Sequence, residues 1–187
     1  MDEKDLQIEN ILDDKKSKDK KKVDGKDKGD RTERNLCKLF TDHFGTDFTK
    51  APGSGAIGTV RFGRLPEHAM KTLTGDLCVP EGFKWVIECK GGYEDKVDLN
   101  NVMDKDGIAQ MDEWIEQTTR DSSTSGRKSL ICWKRNRKPW IAIIKLDNLV
   151  PLTVADFPYR VHYREWVMLP LEKLLEKTEK DFWFNNG

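Results

Sequence analysis

A single α/β domain, with helices flanking a central sheet, is the fold class this sequence predicts, and three observations predict it. Leu36, Cys37, Leu39, Phe40 and Phe44 recur at helical spacing. Three runs, 83–89, 130–133 and 140–144, are short, rich in aromatic and β-branched residues, and bounded by turn signals. Between the first and second of these, residues 107–119 read as a second helix, with Ile108, Met111 and Ile115 on one face. Helices interleaved with strands are the pattern of a sheet covered by helices.

The chain has 187 residues, enough for one domain with a real core and a tail. Charged residues make up 35% and hydrophobic residues 36%, a polar but foldable balance. No run approaches the ~18 apolar residues of a membrane span, and the start of the chain lacks the apolar stretch of a signal peptide. These features predict a soluble intracellular protein without a membrane partner. Cys37, Cys78, Cys89 and Cys132 are far apart and sit in apolar surroundings, which reads as buried hydrophobes. With three histidines and no His/Cys grouping, a zinc centre is not expected. Formal net charge is zero, yet no acid occurs between Ser122 and Leu146, where Arg127, Lys128, Lys134, Arg135, Arg137, Lys138 and Lys145 all lie. Such a patch can hold a phosphate backbone even on a neutral protein.

In chain order, residues 1–29 are Lys/Asp-rich without an aromatic residue and read as a solvated tail, with Leu6, Ile8, Ile11 and Leu12 its only apolar cluster. Asp30-Arg31-Thr32-Glu33 has the form of a capping box, so order is expected to start there. Glu33, three residues before Leu36 and seven before Phe40, projects from the core-facing side of that helix; closing the box is its simplest role. Ala51-Pro52-Gly53-Ser54-Gly55-Ala56-Ile57-Gly58 is a loop. Residues 77–79 and 83–89 form a strand pair around the Pro80-Glu81-Gly82 turn.

Along 83–90, Phe83, Trp85, Ile87 and Cys89 share one face, and Lys84, Val86, Glu88 and Lys90 the other. Pairing through the turn brings Asp76 level with Glu88, so two carboxylates and one ammonium converge. Hard divalent cations bind through such a carboxylate pair together with waters and substrate phosphates. A neighbouring Lys can orient the nucleophile or stabilise developing charge. The same residues would equally serve as a surface salt bridge. Gly91-Gly92 ends the strand, a polar connection follows, and Gln110 and Trp114 lie four apart on another face of the second helix. Residues 122–126 read as a polar loop. The turn Lys134-Arg135-Asn136-Arg137-Lys138-Pro139 joins the next strands, and with Trp140 it reads as a nucleic-acid contact as well as a solvated tip. Residues 161–169 suggest an edge strand, Pro170 opens a helix carrying Leu171, Leu174 and Leu175, and Phe182-Trp183-Phe184 reads first as a cluster that packs back on the domain, with docking of a partner chain or contact with a base as the alternatives.

An Asp, some ten residues and Glu-x-Lys closing an apolar strand resembles the PD-(D/E)XK nuclease superfamily, with Gly75 where many members have Pro. Gly29-Asp30-Arg31-Thr32-Glu33-Arg34, Gly53-Ser54-Gly55, Gly75-Asp76 and Ile87-Glu88-Cys89-Lys90 follow one another in the order of archaeal-type Holliday junction resolvases. Gln110 and Trp114 resemble, with Trp for Tyr, a Gln-x-x-x-Tyr motif of the RecB-like branch. The resemblance covers residues 29–146 and implies a restriction-endonuclease-like fold with a central mixed β-sheet flanked by helices.

The resemblance further implies a Mg²⁺-dependent endonuclease that cuts DNA, with branched DNA such as Holliday junctions as substrate and Mn²⁺ able to substitute. Asp76, Glu88, the Cys89 carbonyl and Glu33 would hold the metal or its water, Lys90 would act on the nucleophile, and Ser54 would approach the scissile phosphate. Arg31, Arg34, Arg61, Arg64, Lys134, Arg135, Arg137 and Lys138 would contact the nucleic acid. A homodimer in the cytoplasm of a prokaryote or of a virus's host, working with replication or recombination proteins, would follow. Residues 61–74 depart from the family as an insertion, which sets a nuclease for linear, nicked or single-stranded DNA ends beside the junction reading. A non-catalytic binding module is the remaining alternative. The expected organisation is a tail over 1–29, a nuclease core over 30–146 and a C-terminal extension over 147–187 packed on it.

Overall fold

The computed structural model describes residues 25–52, 74–103 and 106–185. Helix α1 spans Gly25–Phe44, followed by β1 (Thr49–Lys50), β2 (Leu77–Cys78) and β3 (Trp85–Gly91). A short 3-10 turn at Leu99–Met103 precedes α2 (Ala109–Ser125), β4 (Lys128–Lys134) and β5 (Trp140–Lys145). Then come β6 (Val161–Tyr163), β7 (Trp166–Pro170), α3 (Leu171–Lys177) and α4 (Lys180–Trp183). Five strands form one sheet in the order β3-β4-β5-β7-β6, while β1 and β2 form a small antiparallel ribbon. Only β3 and β4 are parallel within the larger sheet, because α2 carries the chain back between them as a crossover connection. The sheet is mixed and flanked by helices, as expected.

β3 is buried along five successive residues, which explains its continuous apolar and aromatic run. Its Trp85, Ile87 and Cys89 join Leu36, Phe40, Leu174 and Trp183 in one core, covered by α1, α3 and α4. On the opposite face Met111 and Trp114 of α2 pack with Ile131, Trp133 and Ile143. The sequence places Trp114 on a different face from Met111, yet both are buried. Trp114 is held edge-on between Tyr93 and Trp133, so contact with the sheet decides its side.

Helix α1 starts before Asp30, and the expected capping box is replaced by interior helix. Thr32 Oγ1 donates to Lys28 O four residues back at 2.8 Å. Lys50 Nζ bonds Asp30 and lies 3.0 Å from Glu33 Oε2, so both acids are drawn to β1. A Cβ on Gly91 would stand 2.6 Å from Thr32 Oγ1, so the front of α1 leans on the end of β3, and this docking offsets its Gly- and Asp-rich composition. Residues 122–125, read as a loop, continue α2. Ser123, Thr124 and Ser125 hydroxyls donate to carbonyls four residues back, and Gly126, with φ +68, ends the helix by donating to Ser122 O.

The segment after 147 does more than lie on a finished core. It supplies β6 and also β7, which sits inside the sheet between β5 and β6. Val167 and Leu169 of β7 and Leu171 of α3 enter the same core as Trp85, because the alternating apolar residues of β7 must be covered once it pairs with β5. Phe182 and Trp183 are buried, and Phe184 bridges to Phe83. Among the described residues no helix is long and apolar enough to cross a membrane.

Candidate active site

Asp76 is aligned on β3 by backbone geometry. Gly75 has φ +88, and a Cβ there would meet Ile87 O and Val86 Cγ2, each at 2.8 Å. Only glycine permits this approach, which accounts for Gly at that position. Asp76 N donates to Ile87 O at 2.9 Å, and Asp76 O accepts from Ala51 N at 2.9 Å. Its Oδ2 accepts from Cys89 N at 2.8 Å. The carboxylate is thereby fixed over β3, one residue from Glu88.

Glu88 is 2% exposed and Asp76 9%. Glu88 Oε1 accepts from Lys90 Nζ at 2.5 Å and from Gln117 Nε2 at 2.6 Å. Lys90 Nζ also donates to Gln117 Oε1 at 3.1 Å, closing a triangle of Glu88, Lys90 and Gln117. Among the described residues no donor meets the buried Glu88 Oε2. Burial, and then the neighbouring Asp76 charge, push the Glu88 carboxyl up to about 8. Burial also raises Asp76, against the pull of Cys89 N–H and Lys90. Burial alone would lower Lys90, but the charge and hydrogen bond of Glu88 reverse this and hold its ammonium above the usual range.

Two buried carboxyls, in hydrogen-bond contact with each other, thus face a single ammonium, and among the described residues no donor meets one of the Glu88 oxygens. A buried oxygen in that position is costly unless a cation or a proton meets it. A hard divalent cation fits this donor set: two carboxylates, with waters and a substrate phosphate for the rest. Among the described residues no group of three or more His, Cys, Asp or Glu is arranged to hold a metal.

The structure brings Asp76, Glu88 and Lys90 together and holds the Cys89 peptide against Asp76. Glu33 lies beside Lys50, although its charge still acts on the Cys89 thiol. Arg31 and Arg34 are exposed on α1, Arg34 3.8 Å from Asp30. Lys134, Arg135, Arg137 and Lys138 surround the β4–β5 turn. Ser54, Arg61 and Arg64, with the rest of the expected insertion up to residue 73, lie outside the described residues. Gln110 donates to Glu113 at 2.7 Å on an exposed face, so the Gln110–Trp114 pair forms no part of this cluster.

Sequence reasoning misses Gln117 and Asp121. Asp121, half-buried on α2, acts electrostatically on Asp76, Glu88 and Lys90, and burial raises its own carboxyl. Both follow Trp114 on α2, at i+3 and i+7. Had Trp114 been read as sheet-facing, helical periodicity would have carried the same face to both.

A family model described as phage putative PDDEXK endonuclease matches residues 24–183. Protein D14 of Escherichia phage T5 is 27% identical over 146 residues, covering 75% of this chain and 81% of that protein. No solved structure matches.

Proposed function

The chain belongs to the phage PDDEXK endonuclease family, and on that premise we propose that it is a divalent-metal-dependent deoxyribonuclease, with Asp76 and Glu88 as metal ligands. The observation that carries this reading is the buried Glu88 Oε2 beside Asp76, which no donor among the described residues meets. Mg²⁺ is the proposed ion and Mn²⁺ its substitute; when bound, the cation supplies an acidified water and neutralises charge on the phosphate. The Cys89 carbonyl completes the ligand set, and Glu33 holds a ligand water once released from Lys50.

Lys90 positions the attacking water and offers its ammonium to the charge that develops on the phosphate. Gln117 keeps Lys90 and Glu88 in one orientation, since it bonds both. Gln117→Ala is expected to lower kcat about 10–100-fold, the usual effect of removing a partner that orients a metal ligand. DNA affinity should be unchanged, and steady-state kinetics on one duplex separates the two.

The substrate is DNA, with branched DNA preferred and two subunits acting on the symmetric junction. The order of the Gly29–Arg34, Gly53–Gly55, Gly75-Asp76 and Ile87–Lys90 motifs supports this preference. Replication or recombination proteins are the proposed partners and the host cytoplasm the proposed place of action. A matched set of four-way junction, fork, linear duplex and single strand, each with Mg²⁺ and with chelator, tests the reading. Symmetric metal-dependent cuts on the junction support it. Cutting of all four removes the junction preference, and binding without cutting removes the catalytic reading.

A further inference from the structure

The strand that carries Lys90 ends beside a turn that the proposed chemistry does not use. Lys90 lies opposite Trp133 and Gly91 opposite Lys134, so the β4–β5 turn begins one strand spacing, about 4.8 Å, from β3. Trp133 packs under α2, on the face that Glu88 and Lys90 share. Its Nε1 donates to Gly92 O at 2.7 Å, which ties the ring to the end of β3.

The Arg135 guanidinium sits over this ring, 5.3 Å from its centroid. Its Nε is buried and meets no acceptor among the described residues. On the other face Lys134 Nζ lies 5.4 Å from the centre of the Trp140 ring. Cations seated on aromatic rings have surrendered much of their rotamer freedom before any ligand arrives. At the crest Arg137 has φ +54, a conformation in which Gly or Asn is the ordinary occupant. Asn136 N donates to Glu94 Oε1, fixing the turn to the segment that leaves β3. Among the described residues, none of Lys134, Arg135, Arg137 and Lys138 makes a salt bridge.

We propose that this turn is a preset phosphate clamp: Arg135, with Arg137 and Lys138 beyond it, grips the DNA backbone flanking the scissile phosphate and sets how the strand crosses Asp76 and Glu88. A guanidinium stacked by its face, with Nε turned inward, is left to meet a phosphate through its terminal nitrogens, a two-point contact that suits that group. A strained arginine at the crest, where glycine would be relaxed, is explained by a charge needed there. The inference rests on the nuclease reading.

The test is equilibrium binding of a labelled linear duplex in chelator over a range of salt, with steady-state cleavage in Mg²⁺ alongside. Arg135→Gln and Arg137→Gly are each expected to weaken binding about tenfold and to lower the salt slope by about one. KM should rise, and kcat at saturating DNA should fall as well, because the bound strand no longer crosses Asp76 and Glu88 in the set path. Arg137→Gly should match or exceed the wild-type Tm, which a merely structural arginine would not allow. Wild-type affinity and slope in both variants overturn the clamp while leaving the nuclease intact. Loss of DNA binding and cleavage in the wild type itself overturns both.

Discussion

Glu88→Gln is expected to lose DNA cleavage by about 10²–10³-fold and, in the same protein, to raise the Tm of the metal-free form above neutral pH. The two effects share one cause. Without metal, burial and the Asp76 charge hold the Glu88 carboxyl at about 8 against an ordinary 4.5. The folded state therefore keeps a proton that the unfolded chain has released. A group raised in this way contributes stability that is full below about 4.5 and is lost as the pH climbs through about 8. Glutamine has no proton to lose, its carbonyl can still accept from Lys90 and Gln117, and its amide can donate toward Asp76. Mg²⁺ should raise the wild-type Tm at alkaline pH and leave the variant unmoved. Thermal denaturation with and without metal, beside a cleavage assay, checks both halves; undiminished cutting by the variant would remove Glu88 from the site.

Trp183→Ala is expected to cost about 3–5 kcal/mol of stability, the range for an aromatic cut out of a packed core. That is a large share of the ~5–15 kcal/mol that holds a domain together, and Tm should fall by on the order of 10 °C. Trp183 is fully buried and stacks on Phe83 at 6.1 Å. It meets Phe40, Phe44 and Trp85 as well, while its Nε1 donates to Thr178 Oγ1 at 2.7 Å. Its carbonyl accepts from Lys84 N at 2.8 Å, at the very start of β3. Cleavage should fall only in step with the folded fraction, which separates this variant from Glu88→Gln. A change to exposed Lys180 serves as the control.

Strand β3 was legible because alternation along 83–90 is a two-residue rule that assigns Glu88 and Lys90 to one face without knowledge of anything distant. Asp76 does reach the neighbourhood of Glu88, but not through the expected pairing of 77–79 with 83–89: β2 pairs with β1 instead, and Asp76 is tied to β3 by its own N–H to Ile87 O. Gln117 was not legible, since its role depends on which way α2 is rolled against the sheet, and Trp114 and Ile115 are both apolar candidates for the buried side. The early start of α1 escaped for a related reason: Lys50 and Gly91, far along the chain, hold residues that local propensity would leave unwound. The place of β7 inside the sheet depends on pairing with β5, which no local pattern specifies.

The bridge from Phe83 to Phe184, with Asn185 N donating to Gly82 O at 2.8 Å, bears on how the protein is made. Asp76, Glu88 and Lys90 leave the ribosome well before the aromatic residues that close the core beneath them. A nascent chain halted short of Trp183 carries every proposed catalytic group but lacks the floor that aligns β3. Order in β3 is thereby tied to residues far along the chain, as the bond from Trp85 Nε1 to Phe182 O, 97 positions later, marks.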